Sequence, residues 1–229
     1  MPLLRIGHRG AKGYIAENTI ESINKALELE VDGIEIDIFK CLSGELVLSH
    51  YNSLKKLCGK SGNIEDLTIN QLQEFLIDNK FKIPTLQSAL NQLKKPILVN
   101  IELKGLNTYL STSLIIKDLL SKEIWSEENF LISSFRWEEV KKFQYSIKNI
   151  PVGLIVPNSK TINEAIEFAK KINAQSIHPN YKHLNRKIVK KIKKNGFKVF
   201  AWTVNKKDDI NIIKKMNVDG IISDYPDRI

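Results

Sequence analysis

The chain has 229 residues, 42% of them hydrophobic, and 35 Lys and Arg against 26 Asp and Glu give a net charge of +9. That length and apolar fraction suit one large α/β core and exclude a disordered or fibrous chain. No apolar run approaches the ~20 residues of a membrane span, no leader is visible before Leu3, and two cysteines stand in no metal or disulfide spacing, so a cytoplasmic protein without stable membrane insertion is expected.

Positive charge alone fits nucleic acid, an anionic surface or an anionic small molecule. Much of it falls in Leu184–Lys194, where Lys187, Lys190, Lys191 and Lys194 share one helical face and Leu184, Ile188 and Ile192 line the other. That pattern is the solvated side of an amphipathic helix. No aromatic residues interleave with the lysines, so no nucleic-acid partner is expected.

In chain order, Leu3 to His8 reads as a short strand ending in His8-Arg9-Gly10. Asn18 is placed as the N-cap of a helix running to about Glu30, with Glu21 completing a capping box. Ile34, Ile36 and Ile38 then alternate with Glu35 and Asp37, a strand period that sets both carboxylates on one face. Two adjacent acids repel unless a cation sits between them. Ser43-Gly44 reads as a turn and Leu46–Leu48 as the returning strand. A two-residue turn pairs Asp37 with His50, whereas one residue more slips the register and flips His50 to the other face.

Residues 51–82 are irregular, with a helix near Asn70–Ile77, and read as an insertion over a barrel mouth. Thr85 is a candidate N-cap. Strands follow at Ile97–Lys104, Phe130–Ser134, Val152–Val156, Gln175–His178, Lys198–Val204 and Gly220–Ser223, separated by helical segments. Counting the first two, eight strands alternate with helices. The expected fold is α/β, a TIM-like (β/α)8 barrel spanning residues 1–229 as one domain, with a small insertion after the second strand.

Chemistry in such barrels sits at the C-terminal ends of the strands. His8 and Arg9 end the first strand, Glu35 and Asp37 the second, and His50 returns beside them. Asn100, Glu102 and Lys104 share a face of the third. Trp202 lies near the end of the seventh and Asp224 ends the eighth, where capping the final turn is expected ahead of reaching the rim. His178 ends the sixth as a rim polar group. Glu35, Asp37 and Glu102 make an all-oxygen set suited to one hard cation, Mg²⁺ or Ca²⁺. Arg9 and Lys104 supply positive charge for a phosphoryl oxygen. Two histidines suit general acid–base work near neutral pH. Together they suggest phosphodiester cleavage.

The chain resembles the glycerophosphodiester phosphodiesterases, TIM-barrel enzymes related to phosphatidylinositol phospholipase C. The resemblance rests on His8-Arg9-Gly10, Glu17-Asn18-Thr19, Asp32 to Asp37, His50, Ile83 to Leu86, Ile101 to Lys104, Trp202 to Asn205 and Asp219 to Asp224, in that order. It implies a small-molecule glycerophosphodiester substrate and release of glycerol 3-phosphate, catalysed by His8 and His50 as the acid–base pair. It implies Glu35, Asp37 and Glu102 as the ligands of a divalent cation, Arg9 and Lys104 on phosphate, Glu17 orienting Arg9 or the first loop, and Trp202 as an apolar wall. Tyr51 stands where the family usually has Asp, and Ala16 where it usually has Pro. Two other readings are a lysophospholipase D-type enzyme at membranes, with Phe75, Leu76, Ile77 and Phe81 as candidate anchors, and a non-catalytic phosphate- or metal-binding barrel.

Overall fold

Runs rich in Ile, Val and Leu form the strands of a closed ring in the computed structural model, which describes residues 2–229. β1 (Leu4–His8) leads to α1 (Ile20–Glu28) and β2 (Gly33–Lys40), which turns back as β3 (Leu46–Leu48). Short elements follow: α2 (Leu54–Cys58), α3 (Ile69–Leu72), β4 (Leu76–Ile77), β5 (Phe81–Lys82) and α4 (Leu86–Gln92). Regular alternation then runs through β6 (Leu98–Leu103), α5 (Thr108–Ser121), β7 (Phe130–Ser134), α6 (Trp137–Ser146), β8 (Val152–Val156) and α7 (Ile162–Lys171). It ends with β9 (Ser176–Pro179), α8 (Arg186–Lys194), β10 (Lys198–Ala201), α9 (Lys207–Lys214) and β11 (Gly220–Ser223).

The ring closes because β1 pairs in parallel with both β2 and β11: Ile6 lies opposite Gly33 on one side and Ile222 on the other. β2 and β6 to β11 complete the (β/α)8, TIM-like barrel. Strand alternation sorts the side chains into layers. Ile34, Ile36 and Ile38 join the large core between strands and helices. Ile6, Leu131, Phe200 and Ile222 form a smaller cluster inside the ring. Phe39, Val47, Leu54, Ile64, Leu72 and Ile83 build a third core beneath the segment after β3.

Three local expectations are corrected. Thr19, not Asn18, caps α1, its side chain accepting from the Ser22 N–H at 3.0 Å. Asn18 adopts φ 57° and is fully buried elsewhere. The β2–β3 turn has three residues, Leu42 to Gly44, with Cys41 N–H donating to the Glu45 carbonyl at 2.9 Å, so Ile38 pairs with Leu48 and Asp37 faces Ser49. The helix expected near Asn70–Ile77 ends at Leu72. Leu76–Ile77 instead pairs with Phe81–Lys82 around the three-residue loop Asp78 to Lys80, in which Asp78 and Asn79 take positive φ and Lys80 N–H donates to the Ile77 carbonyl at 3.0 Å.

Candidate active site

The end of β1 supplies a histidine and an arginine held in fixed poses. His8 Nδ1 lies 2.6 Å from Asp224 Oδ1, which aims Nε2 inward, 3.9 Å from Glu35 Oε2. Of the two roles weighed for Asp224, the less favoured one is observed: it reaches across from the end of β11 to hold His8. Asn205 secures it in turn, donating from Nδ2 to Oδ2 at 2.7 Å and accepting from the Asp224 N–H at 2.9 Å. Arg9 takes φ 52°, a left-handed conformation that turns its N–H onto Glu35 Oε2 at 3.0 Å. Its guanidinium lies 2.8 Å from Glu17 and 3.0 Å from Asp37. Both oxygens of Glu17 are occupied, one by Arg9 and one by Lys12 Nζ at 2.7 Å.

β2 and β6 run side by side with Asp37 opposite Glu102. One carboxylate oxygen from each of Glu35, Asp37 and Glu102 lies within 4.8 Å of the others. Glu35 Oε1 and Asp37 Oδ1 are buried with no hydrogen-bond partner. Unpartnered buried carboxylate oxygens are costly, and a hard divalent cation satisfies them. The donor set therefore fits such an ion. Burial pushes the Glu35 carboxyl well above its ordinary range, with the charges of Asp37 and Glu102 adding to the effect. Burial and Asp37 likewise push Glu102 up to about 7. Asp37 goes the other way: burial raises it, but the Arg9 guanidinium and the Lys104 ammonium hold it below the usual carboxylate range. Lys104 Nζ sits 2.8 Å from Glu102 and 3.7 Å from Asp37. Asn18 braces Asp37 twice, donating to Oδ2 at 3.0 Å and accepting from its N–H at 3.1 Å.

The register slip that was expected to turn His50 away does not do so. β3 ends at Leu48, and the Ser49 hydroxyl bonds both the N–H and the carbonyl of Tyr51, folding a small turn that presents His50 to the mouth. The Tyr51 ring meets the His50 ring edge-on at 4.5 Å, and Lys56 Nζ sits 5.4 Å from the Tyr51 ring centre. His50 Nδ1 is buried without a partner. Burial lowers the His50 ring to about 4 against the opposing charge of Asp37, and burial likewise lowers His8 against the Asp224 hydrogen bond.

A cavity of about 100 Å³ gathers His8, Arg9, Glu35, His50, Glu102 and Lys104 on its walls. Trp202 lines it too, its indole N–H donating to the His178 carbonyl at 2.7 Å. Asp37 and Glu17 stand behind this lining. His178 lines this cavity as well, although it is fully buried, with Nε2 2.8 Å from the Ser176 hydroxyl. Gly153 makes room for it, since a Cβ there would lie 2.4 Å from His178 Nε2. Phe135, 42% exposed, lines the cavity and meets the Trp202 ring edge-on at 5.4 Å.

Sequence reasoning overlooked Asn18, Phe135, Asn205 and the true role of Asp224. Asn18, Asn205 and Asp224 lie inside the motifs already singled out. Phe135 carries no local signal beyond following Ser134 at a strand end.

The sequence matches the Glycerophosphoryl diester phosphodiesterase family over residues 8–228. A glycerophosphodiester phosphodiesterase from Caldanaerobacter subterraneus is 33% identical over 239 residues, covering 100% of this chain and 97% of that one. One from Bacillus subtilis is 27% identical, covering 98% of this chain and 84% of the relative. Among solved structures, a Thermotoga maritima glycerophosphodiester phosphodiesterase superposes with a TM-score of 0.81 at 26% identity, covering 99% and 97% of the two chains. An Oleispira antarctica phosphodiesterase in complex with sn-glycerol-3-phosphate shares the fold with a TM-score of 0.88 at 24% identity, covering 100% and 95%.

Proposed function

Because the chain belongs to the glycerophosphoryl diester phosphodiesterase family, we propose that it hydrolyses glycerophosphodiesters to glycerol 3-phosphate and an alcohol, with His8 and His50 handling the protons. The observation that carries this reading is the convergence of both histidines, two acids and two cations on one cavity. A binding module needs no pair of histidines, one of them braced by a carboxylate, so the non-catalytic reading is the weaker one.

Glu35, Asp37 and Glu102 would hold one divalent cation, Mg²⁺ or Ca²⁺. When bound, it supplies charge neutralisation at a phosphoryl oxygen. Arg9 and Lys104 would contact the remaining phosphoryl oxygens, and Trp202 would wall the glycerol. One histidine accepts the proton of the glycerol 2-hydroxyl as that oxygen attacks phosphorus. The other donates a proton to the departing alcohol. The resulting cyclic phosphate then takes up water with the proton roles reversed, giving glycerol 3-phosphate. Asp224 keeps the His8 Nδ1 proton in place, so that Nε2 is the atom that exchanges. We read residues 1–229 as one catalytic domain in which residues 51–82 roof one side of the mouth.

One observation favours a second reading, lysophospholipid substrates at a membrane surface. The anchors suggested from the sequence do not serve it, because Phe75 and Phe81 pack against the core of their own segment. Leu106, Leu110 and Leu114, however, are 57%, 52% and 58% exposed and four residues apart, a stripe that starts at Leu106 beside the mouth and runs down α5. No helix among the described residues is long and apolar enough to cross a membrane.

The test is release of glycerol 3-phosphate from glycerophosphocholine and glycerophosphoethanolamine with added Mg²⁺ or Ca²⁺, repeated with excess EDTA. EDTA-sensitive release is expected. Activity confined to lysophospholipids in vesicles would select the second reading, and no turnover of either class would overturn both.

A further inference from the structure

A second cavity, of about 470 Å³, opens beside the first and shares Glu102, Lys104 and Phe135 with it. Its outer walls come from the segment after β3, through Asn52 and Glu65, and from Phe39 and Leu106. A substrate whose phosphoryl group sat on Lys104 would have one ester arm in the small cavity and the other here. The small cavity holds the histidines and Trp202, so the glycerol belongs there and the departing alcohol in the larger one.

Glu65 is the chemically distinctive residue of this space. Asn52 grips it from both sides, donating from Nδ2 to Oε2 at 2.7 Å and accepting from the Glu65 N–H at 3.1 Å. Oε1 faces the loop after β6, where Gly105 leaves room for it: a Cβ at Gly105 would come within 3.1 Å. No Lys or Arg among the described residues lies within ion-pair distance of Glu65. Lys104, on the shared wall, is engaged by Glu102 and Asp37. Arg136 is exposed at the cavity's outer side, with Nε donating to the Lys104 carbonyl at 3.2 Å. A held carboxylate with no ion-pair partner, in a cavity also walled by Phe39, is suited to an alkylammonium group, while the Phe135 ring is already faced by Lys104 Nζ at 5.4 Å.

We propose that this cavity receives the departing alcohol and that Glu65 makes the enzyme selective for alcohols bearing an ammonium group. The proposal rests on the phosphodiesterase reading above and names the substrate class within it.

The test compares kcat/KM for glycerophosphoethanolamine and for glycerophosphoglycerol, which carries a neutral alcohol on the same glycerophosphate. The wild type is expected to favour the ammonium ester by about tenfold, the scale of one charge-assisted hydrogen bond at a partly exposed site. Glu65→Gln, which keeps the Asn52 contacts possible, should bring that ratio to near one. Raising the salt from 0.05 to 0.5 M should shrink the wild-type ratio, because screening weakens charge selection. A wild-type ratio near one, or a ratio untouched by Glu65→Gln, overturns the proposal while leaving the phosphodiesterase reading standing. Absence of turnover on both esters overturns the reading beneath it.

Discussion

Asp224 reaches His8 across the seam where the barrel closes, its Oδ1 2.6 Å from Nδ1 of a residue 216 positions earlier. Their strands, β11 and β1, are neighbours, so the contact exists only in the closed ring. Asp224→Asn keeps the shape but offers an amide where a carboxylate accepted. Turnover is expected to fall roughly 10²-fold or more, the scale of a lost acid–base partner, with an unchanged far-UV circular dichroism spectrum. Steady-state release of glycerol 3-phosphate measures it, and activity within threefold of wild type would remove Asp224 from the machinery.

Replacing either His8 or His50 by Ala should each lower kcat by roughly 10²-fold or more. The two losses should not add in the double variant, because the proposed mechanism uses both histidines in one proton-transfer sequence. Single-turnover rates for the three variants decide this.

Asn18→Ala removes both contacts to the buried Asp37 and strands its N–H, while Arg9 at 3.0 Å still faces the carboxylate oxygen that Asn18 held. Urea unfolding should show a loss of about 1–3 kcal/mol, the cost of leaving buried polar groups unpaired. Divalent-cation affinity, followed by calorimetric titration, should weaken in the same variant.

Cation binding should be visible without catalysis. A ligand that binds only the folded state at 100 times its Kd stabilises by about 2.7 kcal/mol, so Mg²⁺ or Ca²⁺ should raise Tm and EDTA should reverse the rise. Glu35→Gln removes one candidate ligand and should abolish most of the shift. A wild-type Tm indifferent to both cations would contradict the metal assignment.

His178 gives stability a pH dependence with a definite sign. Burial lowers its ring to about 3 in the folded chain, while in the unfolded chain it titrates near ~6.5. Between those values the unfolded state binds the extra proton, so this contribution is whole above ~6.5 and drains away as pH falls towards 3. From pH 7 to pH 5 the loss from this residue is about 2 kcal/mol. The raised carboxyls of Glu35 and Glu102 act in the opposite direction over the same range. The measurement is therefore the difference in urea stability between wild type and His178→Asn at the two pH values. An identical pH dependence in both proteins would refute the assignment.

The barrel was legible because each ring strand is a short apolar run ended by a polar or turn residue. The carboxylate set was legible because strand alternation alone places Glu35 beside Asp37 and aligns Glu102 with them. What failed depended on distant contacts. Asn18 and Thr19 are both good N-caps, and the choice is settled by Asp37, nineteen residues on. The turn after Cys41 is held at three residues partly by contacts from the insertion, as Leu42 N–H reaches the Leu67 carbonyl and Ile69 N–H reaches the Ser43 hydroxyl. Asp224 next to a chain turn looks like any capping acid until barrel closure brings His8 to it. The Asp78-Asn79 hairpin was the one avoidable miss, since both residue types tolerate positive φ.

The insertion rests on a core separate from the two main ones, built from its own Leu54, Ile64, Leu72 and Ile77 on Val47, Ile83 and Phe39 of β2. Its surface loops beyond Tyr51, which helps present His50, can thus drift in sequence without disturbing the strands that carry His8 and the acids. Evolution, or a protein engineer, can treat it as an exchangeable cassette. Changes at Asn52 and Glu65 would retune which alcohol is accepted, while the proton and phosphate chemistry stays anchored in the barrel.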